Sequence, residues 1–363
     1  MKNFSCGCGN TVYFENTQCV ACDAALGFLP DLGRMSALQP QGGGLWRATH
    51  PAAEGRLYRQ CMNYSEHQVC NWMVPADEDE VFCTACRLNE VIPNLDKPGN
   101  KTLWLAVERR KRRLVFDLMR HGLPVESRRQ APASGLGFAF LEDNPGTLEF
   151  VASAYDRPVM TGHANGLITI NIREADDVER ERIRVEMNEA QRTLLGHFRH
   201  EVGHYYWQRL VAGSDRVLEQ VRTCFGDERQ PYDESLEAYY RDGPRPDWQS
   251  QFISAYASAH PWEDWAECWA HYLQISDTLE TAACNDMVRA DVMSLDFEQR
   301  MDYWIDLARR INLLARSLDQ ADPYPFVLVN PVIEKLHLIE RIIVDSRAQF
   351  VPADMEITRG TAS

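Results

Sequence analysis

At 363 residues, 45% hydrophobic and 25% charged, the chain is long enough for two or three domains and at least one substantial core. A formal net charge of -15 at pH 7 works against binding nucleic acid or anionic membranes, and no apolar run approaches the length that crosses a bilayer. The opening MKNFSCGCGN has no apolar stretch of the secretory type, so a cytoplasmic location is expected.

Eight of the eleven cysteines precede residue 90. Cys6, Cys8, Cys19 and Cys22 form one set, and Cys61, Cys70, Cys83 and Cys86 the other. Each set ends in C-x-x-C, the tight turn that lets two thiolates share a tetrahedral zinc. Gly7 and Gly9 free the backbone around the first pair. Two structural Cys₄ zinc sites, each built from one sequential set, are therefore expected. The alternative pairing puts both C-x-x-C turns on one zinc and leaves Cys6, Cys8, Cys61 and Cys70 for the other. This cysteine-rich ribbon is assigned to residues 1–98.

Residues 99–126 read as a linking helix, with Leu103, Val107, Leu114 and Leu118 at three- and four-residue spacing and Gly122 and Pro124 at its end. Its basic run, Arg109 to Arg113, is read as a solvated face. A catalytic domain is assigned to 127–350 and a tail to 351–363. It begins with the apolar runs GLGFAF and LEFVAS. RPVMTGHANGLITINI then reads as a hairpin turning at Asn165-Gly166. Helices are expected at about 178–211, 214–224, 247–258, 261–280, 296–318 and 331–347, giving an α+β, mostly helical fold.

The chemistry concentrates in HEVGH. His200 and His204, four residues apart, share a helix face and can bind one metal, with Glu201 beside the reacting water as general base. A catalytic zinc needs a third protein ligand, and HPWEDWAECWAHY offers it. Pro261 starts a helix on which Glu263, Glu267 and His271 fall on one face, beside the small residues Ala266 and Ala270. Glu263 is the expected ligand. Glu267 is expected to take a hydrogen bond from a ligating histidine, and either Glu267 or Asp264 is the alternative ligand. Tyr256, seven residues before Glu263, is the expected oxyanion donor, with His260 as rival. His197, one turn before His200, is read as an interfacial histidine, with a supporting place behind the ligands as the alternative.

Together HEVGHYYW, HPWEDWAE and the leading CGCGN…C-x-x-C resemble a bacterial family of zinc-binding metallopeptidases with an N-terminal zinc-ribbon domain. A wider similarity is to the gluzincins of the lethal-factor type, whose H-E-x-x-H is followed by E-x-x-A-E with a tyrosine shortly before. The resemblance implies a zincin-like peptidase with one catalytic and two structural zincs. His200, His204 and Glu263 would be ligands, Glu201 the base and Tyr256 the donor. It also implies that LITINI is an edge strand holding peptide substrate. The partners expected are a peptide or protein substrate and a protein bound through the ribbon. Two rival classes are a nucleic-acid-associated regulator using the ribbons, and a protein-binding regulator on an inactive peptidase scaffold.

Overall fold

The computed structural model describes residues 3–142, 162–186 and 189–350. The architecture is α+β, and the chain divides into two units. One comprises Met1–Arg113, Glu126–Leu195 and Asp277–Ser294; the other comprises Leu114–Val125, Gly196–Ser276 and Leu295–Ser363.

The first unit opens with a two-stranded ladder, β1 (Phe4–Ser5) and β2 (Thr11–Val12). A five-stranded antiparallel meander follows: β3 (Ala25–Leu29), β4 (Arg34–Gly42), β5 (Leu45–Ala48), β6 (Leu57–Gln60) and β7 (Met73–Pro75). So small a module has little apolar surface to bury. Its core is a cluster of rings, with Phe28 centred 5.0 Å from Phe14 and 4.6 Å from Trp72. A single-turn helix, α1 (Met62–Ser65), and a short strand, β8 (Asn89–Val91), complete it.

The linking helix, α2, runs Asn100–Arg120 and ends where Gly122 adopts a φ of +69°. Its basic run is solvated only in part, with Arg109 exposed and Arg110 and Arg113 half-buried. Lys111 and Arg112 are buried, because Lys111 pairs with Glu108 at 2.9 Å and the Arg112 guanidinium donates to the Val69 carbonyl at 2.5 Å. Cationic stems that find acceptors inside the fold need not stay in water.

A second sheet has the order β10, β11, β9, β8, with β9 at Gly137–Leu141, β10 at Gly162–Ala164 and β11 at Leu167–Asn171. Asn165 and Gly166, at φ +49° and +79°, turn β10 into β11. Ile168 and Ile170 are buried and the residues between them are half-buried. LITINI is not an edge strand, because β11 pairs with β10 on one side and in parallel with β9 on the other. LEFVAS, the start of the hairpin segment and the tail 351–363 lie outside the described residues.

Helices dominate the remainder: α3 (Asp177–Glu186), α4 (Leu194–Tyr206), α5 (Asp215–Phe225), α6 (Tyr232–Asp242), α7 (Pro261–Ala283), α8 (Phe297–Ser317) and α9 (Asn330–Phe350). Helix α4 continues into a π-helical turn at Trp207–Val211. The expected helix at 247–258 is absent, and two separate 3₁₀ turns stand there. A helix not expected from the sequence, α6, precedes that stretch; it has Pro231 before it, Asp233 and Glu234 in its first turn, and Gly243 at φ +81° after it.

Candidate metal centre and active site

Helix α4 meets α7 at close range because both present small residues at the crossing. A Cβ on Gly203 would lie 3.0 Å from the Ala266 Cα and 3.2 Å from the Trp269 Cβ. The Trp265 indole donates to the Gly203 carbonyl at 2.9 Å, locking the two helices in register. That crossing brings His200, His204 and Glu263 together.

The spacing of their donor atoms is informative. His200 Nε2 lies 3.3 Å from His204 Nε2 and 3.1 Å from Glu263 Oε2, and His204 Nε2 lies 3.6 Å from Glu263 Oε1. A tetrahedral zinc with bonds of about 2.0–2.1 Å has edges of about 3.3–3.4 Å, so the His200–His204 and His200–Glu263 Oε2 separations suit two edges of such a site, with the other Glu263 oxygen slightly farther from His204. Glu263 is 1% exposed, yet its Oε2 accepts no hydrogen bond among the described residues. A buried carboxylate oxygen without a donor is costly unless a cation faces it.

The surroundings orient the His200 ring. His200 Nδ1 lies 2.8 Å from Glu267 Oε1, and the Glu267 Oε2 accepts from the Ser254 hydroxyl at 2.6 Å. With its Nδ1–H given to Glu267, His200 keeps the Nε2 lone pair for a metal. Burial disfavours a charged His200 ring, but the carboxylates of Glu263 and Glu267 outweigh it and push its pKa well above the ordinary histidine value. The site attracts positive charge. Asp264, an alternative ligand by sequence, turns elsewhere: its Oδ2 is 2.6 Å from the Lys335 ammonium and its Oδ1 accepts from the Cys268 thiol.

Glu201 is buried, with Oε1 3.3 Å from His197 Nε2. His197 is therefore a neighbour of this carboxylate, not a bystander. Although burial raises the Glu201 pKa, His197 and the two motif histidines hold it below the ordinary range, leaving the group ionised. Tyr256 is half-buried, its ring centred 6.1 Å from that of His200. Burial and the Glu263 charge raise its pKa, so it remains a proton donor. The rival His260 is committed at both nitrogens, accepting from the Trp262 amide at Nδ1 and donating to the Gln230 carbonyl from Nε2. Sequence reasoning missed Tyr232, whose hydroxyl donates to Glu263 Oε1 at 2.6 Å. It missed Ser254 and Lys335 as well. Tyr232 and Lys335 approach α7 from distant points in the chain and Ser254 from the loop just before it, and no spacing rule links any of them to it.

The cysteines gather in two sets of four, Cys6, Cys8, Cys19 and Cys22, and Cys61, Cys70, Cys83 and Cys86. Cys6 and Cys22 sulfurs are 3.7 Å apart, as are Cys8 and Cys19; in the other set Cys70 is 3.8 Å from Cys83 and 3.7 Å from Cys86. Disulfide sulfurs would be about 2.05 Å apart, whereas zinc–sulfur bonds of about 2.3 Å give tetrahedral edges of about 3.8 Å. Each C-x-x-C stays with the cysteines nearest it in sequence, so the crossed pairing is not formed.

The family described as "Putative zinc-binding metallo-peptidase" matches residues 100–342, and a zinc-ribbon domain matches residues 3–97. The chain belongs to this zinc-binding metallo-peptidase family. Uncharacterized proteins of Mycobacterium bovis and Mycobacterium tuberculosis are 39% identical to it over 361 residues, covering 97% of this chain and 98% of each relative. No solved structure matches it. Among the described residues, no helix is long and apolar enough to cross a membrane.

Proposed function

We propose that the protein hydrolyses peptide bonds with one zinc held by His200, His204 and Glu263, and that its eight ribbon cysteines hold two further, structural zincs. The observation that carries this reading is the convergence of two histidine Nε2 atoms and a buried, otherwise undonated carboxylate oxygen at zinc-sized separations. Bound there, zinc supplies Lewis acidity toward a water and a peptide carbonyl.

The chain's own residues carry the proton traffic. Glu201, ionised and one residue past a ligand, takes a proton from the attacking water and delivers it to the leaving amine. His197 steadies that carboxylate at Oε1. Tyr256 donates to the oxygen that gains negative charge as the carbonyl becomes tetrahedral. Glu267 keeps His200 in the tautomer that leaves Nε2 available. The ribbon, assigned to residues 1–98, selects or docks a protein partner, and the enzyme works in the cytoplasm.

Glu201→Gln preserves shape and removes basicity. The variant should keep its zinc and fold while cleavage of an accepted peptide falls by about 10²–10⁴. Because the substrate is open, the assay compares wild type and variant on a peptide library or proteome digest. A fully zinc-loaded wild type that cleaves nothing would sink the peptidase reading and favour an inactive scaffold.

A further inference from the structure

The interval between the two motifs contributes a group that neither motif contains. Tyr232 opens α6, 31 residues before Glu263, and its hydroxyl donates to Glu263 Oε1 at 2.6 Å. Its ring packs edge-on against His260 and Trp262, with centroids 5.1 and 6.0 Å away, so the phenol is held at both ends. The two oxygens of Glu263 consequently differ. Oε2 faces His200 Nε2 at 3.1 Å and accepts no hydrogen bond among the described residues. Oε1 accepts the phenol's hydrogen bond and stands 3.6 Å from His204 Nε2. A short O–H···O⁻ bond draws charge from the oxygen that accepts it, leaving its partner the better metal donor.

Resting on the zinc reading of this site, we infer that Tyr232 is a positioning residue for the metal. By occupying Oε1 it makes Glu263 ligate through Oε2 alone, which leaves room for water and substrate. Tyr232 and Tyr256 then have separate tasks. The Tyr232 proton is committed to Glu263, whereas the Tyr256 hydroxyl donates no hydrogen bond among the described residues and is available to the reaction.

The test compares Tyr232→Phe with Tyr256→Phe in the full chain, reading zinc retention against a chelator and, separately, peptide cleavage. Tyr232→Phe should weaken one zinc by roughly 10- to 100-fold, the usual consequence of losing a partner behind a ligand, and the kcat deficit should shrink as zinc is raised. A melting curve of the zinc-saturated variant, unchanged from wild type, serves as the control for folding. Tyr256→Phe should retain zinc as wild type does and lose kcat at every zinc concentration. Adding Tyr232→Phe to Glu263→Ala should cost no further zinc, since the first change acts only through the second residue. The inference is overturned if Tyr232→Phe holds zinc as tightly as wild type, whether kcat falls or not. It is equally overturned if the double variant loses more zinc than Glu263→Ala. Because zinc retention is read without substrate, a chain that cleaves nothing would defeat the peptidase reading and leave this result standing.

Discussion

Gly203 is the residue on which the site's dimensions depend. It lies between Glu201 and His204, and any side chain there must push into the Ala266 backbone and the Trp269 Cβ. Alanine would gain up to about 1 kcal/mol in helix propensity, but overpacking typically costs about 1–3 kcal/mol, so clash outweighs propensity. Gly203→Ala should lower the melting temperature and weaken the histidine-site zinc together, because the change pries α4 from α7 at the level of the ligands. A variant that melts no lower than wild type with its zinc unaltered would contradict this. The small-residue stripe of Ala266 and Ala270 was legible in the sequence, whereas the need for glycine opposite it was not. A glycine inside a helix acquires its meaning from the neighbour that crosses there. Tyr232 was illegible for the same reason, since periodicity assigns a face to a residue and never names the partner across it.

At the scale of elements, α7 serves two helices. One face offers Glu263 and Glu267 to α4, and Asp264 on another meets Lys335 of α9. This ion pair is buried on both sides, with the Lys335 ammonium also donating to the Gln251 carbonyl and lying 4.4 Å from the centre of the Phe252 ring. Burial pushes the Asp264 pKa up to about 6 despite Lys335. Lys335→Met strands that carboxylate, and removing one partner of a buried pair costs about 3–5 kcal/mol. Adding Asp264→Leu should return most of the loss, because two apolar side chains need no mutual compensation. Denaturant melts of both variants check this, and a double variant no more stable than the single would refute it. The long helices α7, α8 and α9 were readable from their periodicity and caps. The absent helix at 247–258 was misread because apolar spacing alone cannot distinguish a helix from separate 3₁₀ turns. The burial of Lys111 and Arg112 escaped notice because charge signals water until an acceptor is found inside.

For the whole molecule, the expected metal content is three zincs per chain, and the three centres differ in access. In the first cysteine set Cys8 and Cys22 are exposed, whereas all four thiols of the second are buried. A chelator should therefore strip the first ribbon site faster than the second. Zinc release followed by a colorimetric chelator should be multiphasic, and Cys22→Ser should abolish one phase only. Cys86→Ser should do wider damage to the ribbon, detected as new protease cuts before residue 98, because its thiol sits in the module's interior, where a metal would support the fold. A single-phase release of all bound zinc would overturn this ordering.

The separations within the histidine–glutamate triangle, 3.1–3.6 Å counting both Glu263 oxygens, also bear on which ions would compete with the proposed zinc. Calcium prefers six to eight oxygens at about 2.3–2.6 Å, and magnesium about 2.0–2.1 Å in an octahedron of oxygens. Neither finds those oxygens in a compact cluster of two imidazoles and one carboxylate, so millimolar amounts of both should leave zinc in place. Copper(II) binds such nitrogen donors more strongly than zinc by the Irving–Williams order, and the triangle offers no size barrier against it. On the proposed zinc reading, correct metallation of this chain would depend on the copper supply around it as it folds, a selectivity that these three ligands alone would not provide.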